Sequence, residues 1–178
     1  MKTVDVRRLV CLDETGAKTN MTRLYGRARK GERVIDFAPH GHWNTSTLVA
    51  ALTWQAPIAP MVLDGPMDAA AFKAYVEQML IPALPADAIV VMDNLSAHKA
   101  PAILRLLRDA GAELKYLPPY SPDFNPIEPM WSKVKTSVRA AKPRTQEALH
   151  ATIATALEAI SSSDIHGFFS HCFVGIIN

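Results

Sequence analysis

Cysteine is scarce in this 178-residue chain, and long apolar runs are absent. The two cysteines, Cys11 and Cys172, have neither the spacing of a metal site nor the density of a disulfide scaffold, so a reducing cytoplasm is expected. No apolar run approaches the roughly 18–20 residues of a membrane span. The opening residues, MKTVDVRRLVCLDE, also lack the apolar core of a signal peptide. These absences argue against secreted and membrane proteins.

An excess of one charge is also missing from the chain as a whole. The net charge of +2 and the pI near 8.6 permit a polyanionic partner but do not require one. Basic residues nevertheless cluster in two places. One cluster comprises Arg23, Arg27, Arg29, Lys30 and Arg33; the other comprises Lys133, Lys135, Arg139, Lys142 and Arg144. Either cluster could contact phosphate groups or form an ordinary solvated surface.

Hydrophobic patterning predicts the element order β, β, β, α, β, α, β, α, α, with no internal repeat. The first strand is expected over residues 4–12, followed by a turn in LDETG. The short apolar run DAIVVMDN is typical of a strand buried on both faces. A late helix is expected over residues 126–141, with Asn125 as its N-cap. This order predicts an α/β fold, a mixed sheet with helices on both faces, in one domain over residues 1–178.

Acidic residues fall at the ends of predicted strands. Asp13 is expected at the end of the first strand, and Asp93 follows the apolar strand. If these strands are neighbours, the two carboxylates emerge side by side and repel each other unless a cation lies between them. Glu128, in the first turn of the late helix, could supply a third oxygen. Oxygen-only sites favour Mg²⁺ or Mn²⁺, although a single strand-end aspartate can equally be a turn or capping residue.

Two other acids compete for these roles. Glu14 follows Asp13 directly, so its side chain points to the opposite face of an extended strand. Asp123 lies in SPDF, a segment typical of a turn. Asp13 and Glu128 are therefore preferred over these neighbours.

Five segments of the chain resemble, in order, the catalytic domain of DDE transposases. They are CLDETG, GRARKGER, GHWNTSTLVAAL, VVMDNLSAHK and LPPYSPDFNPIEPMWSKVK. The most similar group is the bacterial insertion-sequence branch of the mariner superfamily. The spacing agrees, because 128 − 93 − 1 leaves 34 residues between the second and third acids.

The resemblance implies an RNase H-like fold with a central sheet of about five strands. It implies a catalytic triad of Asp13, Asp93 and Glu128 that holds two Mg²⁺ ions, which Mn²⁺ can replace, with Asp13 bridging both. The implied activity is that of a polynucleotidyl transferase with endonuclease activity, which cleaves DNA at transposon ends and joins the freed 3′-hydroxyl to target DNA, commonly at TA. Asn94 and His98 are possible supporting residues.

Partners follow from the same resemblance. The expected partners are DNA and a second copy of the chain. Full-length relatives carry a helix-turn-helix before the catalytic domain, and nothing before Asp13 could contact base edges. The chain is therefore expected to be the second part of a split reading frame, with a helix-turn-helix protein from the upstream frame as a further partner, or else a truncated copy or an excised domain. The expected location is the bacterial cytoplasm, at the nucleoid when bound to DNA. The predicted DNA-binding residues are Arg23, Arg27, Arg29, Lys30, Arg33, Lys99, Lys133, Lys135 and Arg139. A stand-alone RNase H-like nuclease or resolvase and a non-catalytic, DNA-binding transposase remnant remain alternatives.

Overall fold

A computed structural model describes residues 4–40, 42–94, 100–119 and 121–173. Its strands are β1 (Leu9–Lys18), β2 (Thr45–Thr53), β3 (Pro57–Asp64), β4 (Ile89–Met92) and β5 (Glu113–Tyr116). Within the described residues they form one five-stranded sheet in the order β3-β2-β1-β4-β5. β1 pairs antiparallel with β2 and parallel with β4, so it joins the antiparallel and parallel halves of the sheet. The predicted mixed sheet is confirmed.

Helices cover both faces of this sheet. They are α1 (Ala69–Tyr75), which continues through a π-helical turn (Val76–Leu80) into α2 (Ile81–Ala83), then α3 (Pro101–Asp109), α4 (Ile127–Ala141), α5 (Gln146–Glu158) and α6 (Ser162–Cys172). Short 3₁₀ turns lie at Val6–Arg8 and Pro122–Phe124. No helix in these ranges has the length and apolarity needed to cross a membrane.

Alternation along the central strands divides the core into two layers. Cys11 of β1 packs with α4, α5 and α6, and the largest side chains there are those of Trp131 and Phe169. Val10 and Leu12 point to the other face, where Phe72 and the helices α1 and α3 cover the sheet. β4 is buried along its whole length, as predicted for a strand between two helical layers.

The first strand differs from its prediction. Residues 6–8 form a 3₁₀ turn, which Asp5 caps by accepting a hydrogen bond from the Arg7 N–H at 3.0 Å. β1 then continues through LDETG to Lys18, because every residue from Val10 to Lys18 pairs with β2. Asp13 therefore lies in the middle of a strand and not at its end.

Two helix starts also differ from prediction. Asn125 does not cap α4; Pro126 occupies the N-cap position, and no side chain caps the helix. The helix α6 is absent from the predicted element order. Its start carries a capping box in which Ser161 accepts a hydrogen bond from the Asp164 N–H and Asp164 accepts one from the Ser161 N–H.

Residues 20–40, here called the basic arm, contain no described helix or strand and are mostly exposed. The two ends of the arm are joined at its base by hydrogen bonds between Thr19 and Asn44. The Thr19 N–H donates to the Asn44 carbonyl and the Asn44 N–H donates to Thr19 Oγ1, both at 3.2 Å. Arg144 reinforces this base by donating to the carbonyls of Thr19 and Met21. The arm is thus anchored at its root and exposed beyond it.

Candidate active site

Strand register brings Asp13 and Asp93 to the same level of the sheet. β1 and β4 run parallel, with Cys11 paired to Val91, so residues two positions further along both chains are also level. Both acids share the parity of Cys11 and Val91, whose side chains face α4. The condition that the sequence left open, that the two strands are neighbours, is therefore met, although only Asp93 follows a strand end.

Glu128 reaches the same region from the start of α4. After β5, the Leu117 N–H donates to the Met92 carbonyl at 2.9 Å, which holds the chain beside the end of β4. The 3₁₀ turn Pro122–Phe124 then turns the chain into α4, and the Glu128 N–H donates to the Asn125 carbonyl at 3.0 Å. Glu128 consequently lies in the first helical turn, where the helix dipole favours a carboxylate.

The three acids line one cleft of about 390 Å³. Its wall opposite the sheet is formed by the proline-rich connection between β5 and α4, so the cleft combines carboxylates with a stiff, largely apolar side. The lining residues are Asp13, Asp93, Asn94, Leu117, Pro118, Pro119, Ser121, Pro122, Asn125 and Glu128.

The pKa of Asp13 is raised to about 7, first by burial and then by the negative charges of Glu128, Asp93 and Glu14. A backbone hydrogen bond from Glu14 opposes this shift. Both other acids of the cleft therefore repel the ionised form of Asp13. Such a group keeps its proton unless a cation compensates the neighbouring charge.

The chemistry of this donor set fits a divalent cation. All three side chains offer oxygen, which Mg²⁺ and Mn²⁺ prefer, and a cation would relieve the repulsion by Glu128 and Asp93 that adds to the effect of burial on the pKa of Asp13. In residues 4–40, 42–94, 100–119 and 121–173, however, no group of three or more His, Cys, Asp or Glu side chains could hold a metal ion as it stands. The three acids line a common cleft, but their carboxylates do not converge on a single metal position.

The competing acids lie elsewhere. Glu14 has the parity of Leu12 and faces the other helical layer, where burial raises the pKa of Tyr75 and the charge of Glu14 adds to that shift. Asp123 is exposed in the 3₁₀ turn and does not line the cleft. Both placements agree with the preference for Asp13 and Glu128.

The charge of Lys135 interacts with two of the acids in the cleft, Glu128 and Asp13. Burial lowers its pKa and the charge of Arg139 lowers it further, whereas Glu128 and Asp13 oppose the shift. Lys135 and Arg139 therefore lie on the side of α4 that carries Glu128. Asn94 lines the cleft, as a supporting residue should; His98 and Lys99 lie outside the described residues.

The remaining basic residues of the second cluster are engaged within the protein. Lys133 donates to Asp164 at the start of α6. Because this charge is already paired within the protein, we expect Lys133 to contribute less to DNA binding than an unpaired lysine would. Lys142 forms an ion pair with Asp36 at 2.6 Å, and Arg144 holds the base of the arm. In the arm, by contrast, the side chains of Arg23, Arg27, Arg29, Lys30 and Arg33 have no ion-pair or hydrogen-bond partner among the described residues.

Residues 8–150 match the family model described as DDE superfamily endonuclease. This stretch covers most of the chain and contains all three acids of the cleft. The chain belongs to the DDE superfamily endonucleases. No curated protein matches the sequence of this DDE chain.

Solved structures of the Mos1 transposase share the fold of the DDE chain. The Mos1 transposase paired-end complex with left transposon end has a TM-score of 0.73 at 18% identity and covers 94% of this chain and 52% of that one. The mariner Mos1 paired-end complex with Mg has a TM-score of 0.70 at 19% identity, covering 93% and 53%. The catalytic domain of Mos1 mariner transposase has a TM-score of 0.66 at 14% identity, covering 94% and 78%. The fold is therefore RNase H-like, and the DDE chain spans about half the length of the chains in the paired-end complexes.

Proposed function

We propose that this chain is the catalytic part of a transposase of the bacterial insertion-sequence branch, which cleaves DNA at transposon ends and joins the freed 3′-hydroxyl to target DNA. The observation that carries the proposal is the convergence of Asp13, Asp93 and Glu128, from three separate elements, on one cleft. The Mos1 structures of similar fold support it, because they include complexes with a transposon end, a strand transfer complex, and complexes with Mg and with Mn.

In this proposal the three carboxylates hold two divalent ions. When bound, such ions make a nucleophilic oxygen reactive at neutral pH and stabilise the leaving oxygen of a phosphoryl transfer. Asp13 would contribute its carboxylate to both ions, and Asp93 and Glu128 would contribute theirs to one ion each, as the resemblance to DDE transposases implies. Asn94, which lines the same cleft, would orient groups at its edge.

DNA is proposed to reach the cleft along the face of α4 that carries Glu128. Lys135 lies seven residues beyond Glu128 and Arg139 four residues further, so all three share one helix face. These two side chains would bind phosphates whatever the base sequence, and the affinity would fall with salt. The preference for TA targets is part of the same proposal.

The basic arm is proposed to contact DNA or a second copy of the chain, since transposition holds two DNA ends together. Beside its unpaired basic residues the arm exposes large apolar side chains: Leu24, Tyr25, Ile35 and Phe37 are 77–91% exposed. A surface of this composition is typical of an interface. Recognition of the transposon ends is assigned to a helix-turn-helix partner, and the proposed setting is the bacterial cytoplasm.

A nicking assay with matched acidic pairs tests the catalytic assignment. Supercoiled plasmid is incubated with Mg²⁺ or Mn²⁺ and either the wild-type chain or a variant. Asp93→Ala, Asp13→Asn and Glu128→Gln should abolish nicking. The neighbouring substitutions Glu14→Gln and Asp123→Asn should leave most of the activity, because neither side chain lines the cleft. Metal-dependent nicking that survives Asp93→Ala would refute the proposal.

Strand joining separates the transposase from a simple nuclease or resolvase. A labelled oligonucleotide with a free 3′-hydroxyl is mixed with plasmid and metal, and covalent joining of the label to the plasmid is measured. Nicking without joining would support the nuclease alternative. A folded chain that binds DNA but neither nicks nor binds Mn²⁺ would support the non-catalytic remnant.

A further inference from the structure

Asn125 is a buried polar residue that lines the cleft. Only 3% of it is exposed, yet it lines the same cleft as the three acids. Its Oδ1 has no hydrogen-bond partner in the part of the chain that the structure describes. Most buried polar side-chain atoms are hydrogen-bonded, and leaving one unpaired is costly. A partner that enters the cleft would remove this cost.

Local structure does not explain why this residue is an asparagine. Its backbone N–H donates to the Pro122 carbonyl at 2.9 Å, and its carbonyl accepts from the Glu128 N–H at 3.0 Å. These two bonds use only the backbone, which residues of many types could supply. The side chain does not cap α4, since no side-chain cap exists there. The carboxamide is therefore free for a role in the cleft.

Two other buried side-chain atoms lack partners among the described residues, and they differ from Asn125 in kind. They are the Tyr75 hydroxyl and the Trp131 indole nitrogen. Both belong to large aromatic side chains whose packing in the two core layers accounts for their presence. Neither lines the cleft. Asn125 combines an unpaired oxygen, almost complete burial and a place in the lining of the cleft that holds the three acids.

We propose that Oδ1 of Asn125 is a fourth oxygen donor to the divalent-ion site, in addition to Asp13, Asp93 and Glu128. The inference rests on the proposed metal-dependent function. Amide oxygens are ordinary ligands of hard divalent cations. A neutral amide adds an oxygen without adding a fourth negative charge to a cleft that three acids already line. An isosteric apolar residue would fill the space but offer no donor.

Mn²⁺ titration calorimetry and thermal unfolding test this assignment on the full chain. Asn125→Leu keeps the size of the side chain and removes the oxygen, and Tyr75→Phe is the matched control that removes a buried, unpaired oxygen remote from the cleft. In EDTA, neither variant should melt below wild type. The Mn²⁺ dissociation constant should rise about tenfold or more in Asn125→Leu, a typical loss for a residue supporting a metal site, and stay within twofold of wild type in Tyr75→Phe.

Asn125→Asp provides an independent test if the leucine variant fails to fold. It replaces the amide by a charged oxygen donor of the same shape, so it should bind Mn²⁺ at least threefold more tightly than wild type, while melting at lower temperature in EDTA. An unchanged Mn²⁺ affinity in either Asn125 variant overturns the inference. If wild type shows no Mn²⁺ binding that Asp93→Ala abolishes, the proposed function fails instead, so the two failures are distinguishable.

Discussion

Removing the charge of Asp13 should stabilise the metal-free protein, and increasingly so as the pH rises. The carboxyl group is half-buried in a cleft with two other acids, and its pKa is raised from 3.8 to about 7. In the unfolded chain the same group titrates near 4. Asp13→Asn keeps the shape of the side chain and removes the charge, so the variant isolates the cost of holding this carboxylate in the cleft.

The sign and the size of the effect follow from proton linkage. Between pH 4 and pH 7 the folded protein keeps a proton on Asp13 that the unfolded chain has released, so raising the pH favours unfolding of the wild type. The shift of about 3 pKa units corresponds to about 4 kcal/mol at ~1.4 kcal/mol per unit. Partial solvent screening lowers this figure, and about 2–4 kcal/mol is expected.

Urea unfolding in EDTA at pH 4, 5.5, 7 and 8.5 measures the effect. The stability difference between Asp13→Asn and wild type should grow steadily from pH 4 to pH 7 and level off above the folded-state pKa. The same substitution in a Glu128→Gln background should give a smaller gain, because Glu128 is the second cause of the raised pKa after burial. Nicking activity should be lost in both variants.

A gain that does not change with pH would show that Asp13 is not held at a raised pKa, and the description of the cleft would be wrong. A pH-dependent gain of equal size in the Glu128→Gln background would show that Glu128 contributes nothing to the raised pKa of Asp13. In that case the two acids would be too far apart to share ions, and the proposed triad would lose its main support.

Two further predictions concern the helix α6 and the basic arm. Ser161→Ala removes the N-cap of α6 and should lower the free energy of unfolding by about 1 kcal/mol in urea titrations; no loss would mean that α6 does not begin there. Replacing Arg27, Arg29 and Lys30 by serine should weaken binding to random-sequence DNA and reduce the slope of log K against log salt by up to about 0.9 for each phosphate that the arm no longer neutralises. Lys133→Met, in which the charge removed faces Asp164, is the matched control and should leave that slope unchanged.

Local signals predicted much of the fold correctly. The apolar run before Asp93 forms a buried strand, as predicted. The helix α3 begins at Pro101, and Gly111, with φ +79°, lies just beyond its end, which is the usual placement of proline and glycine around a helix. Alternation also placed Asp13 and Glu14 on opposite faces of β1. These features depend on residues that are close together in sequence, and therefore they can be predicted from it.

The errors arise where distant residues decide the structure. β1 extends past Asp13 because β2, more than thirty residues later, pairs with it through Lys18. Sequence patterns also did not predict the ion pair of Lys133 with Asp164, 31 residues away. The missed helix α6 is a different kind of error, because its signal is local. A serine followed three residues later by an acid, as in Ser161 and Asp164, is the pattern of a capping box.

The proline-rich connection between β5 and α4 is best understood together with the cleft. Two acids are fixed by a sheet whose strands are held on both sides, whereas Glu128 must be brought to them by a connection that would otherwise be free to move. Carboxylates repel, so a flexible connection would let Glu128 move away from Asp13 in the absence of metal. Pro118, Pro119 and Pro122 limit that freedom, and the helix dipole offsets part of the repulsion. The stiffness of this segment therefore keeps Glu128 near Asp13, whose pKa is raised first by burial and second by the charge of Glu128, before any cation binds.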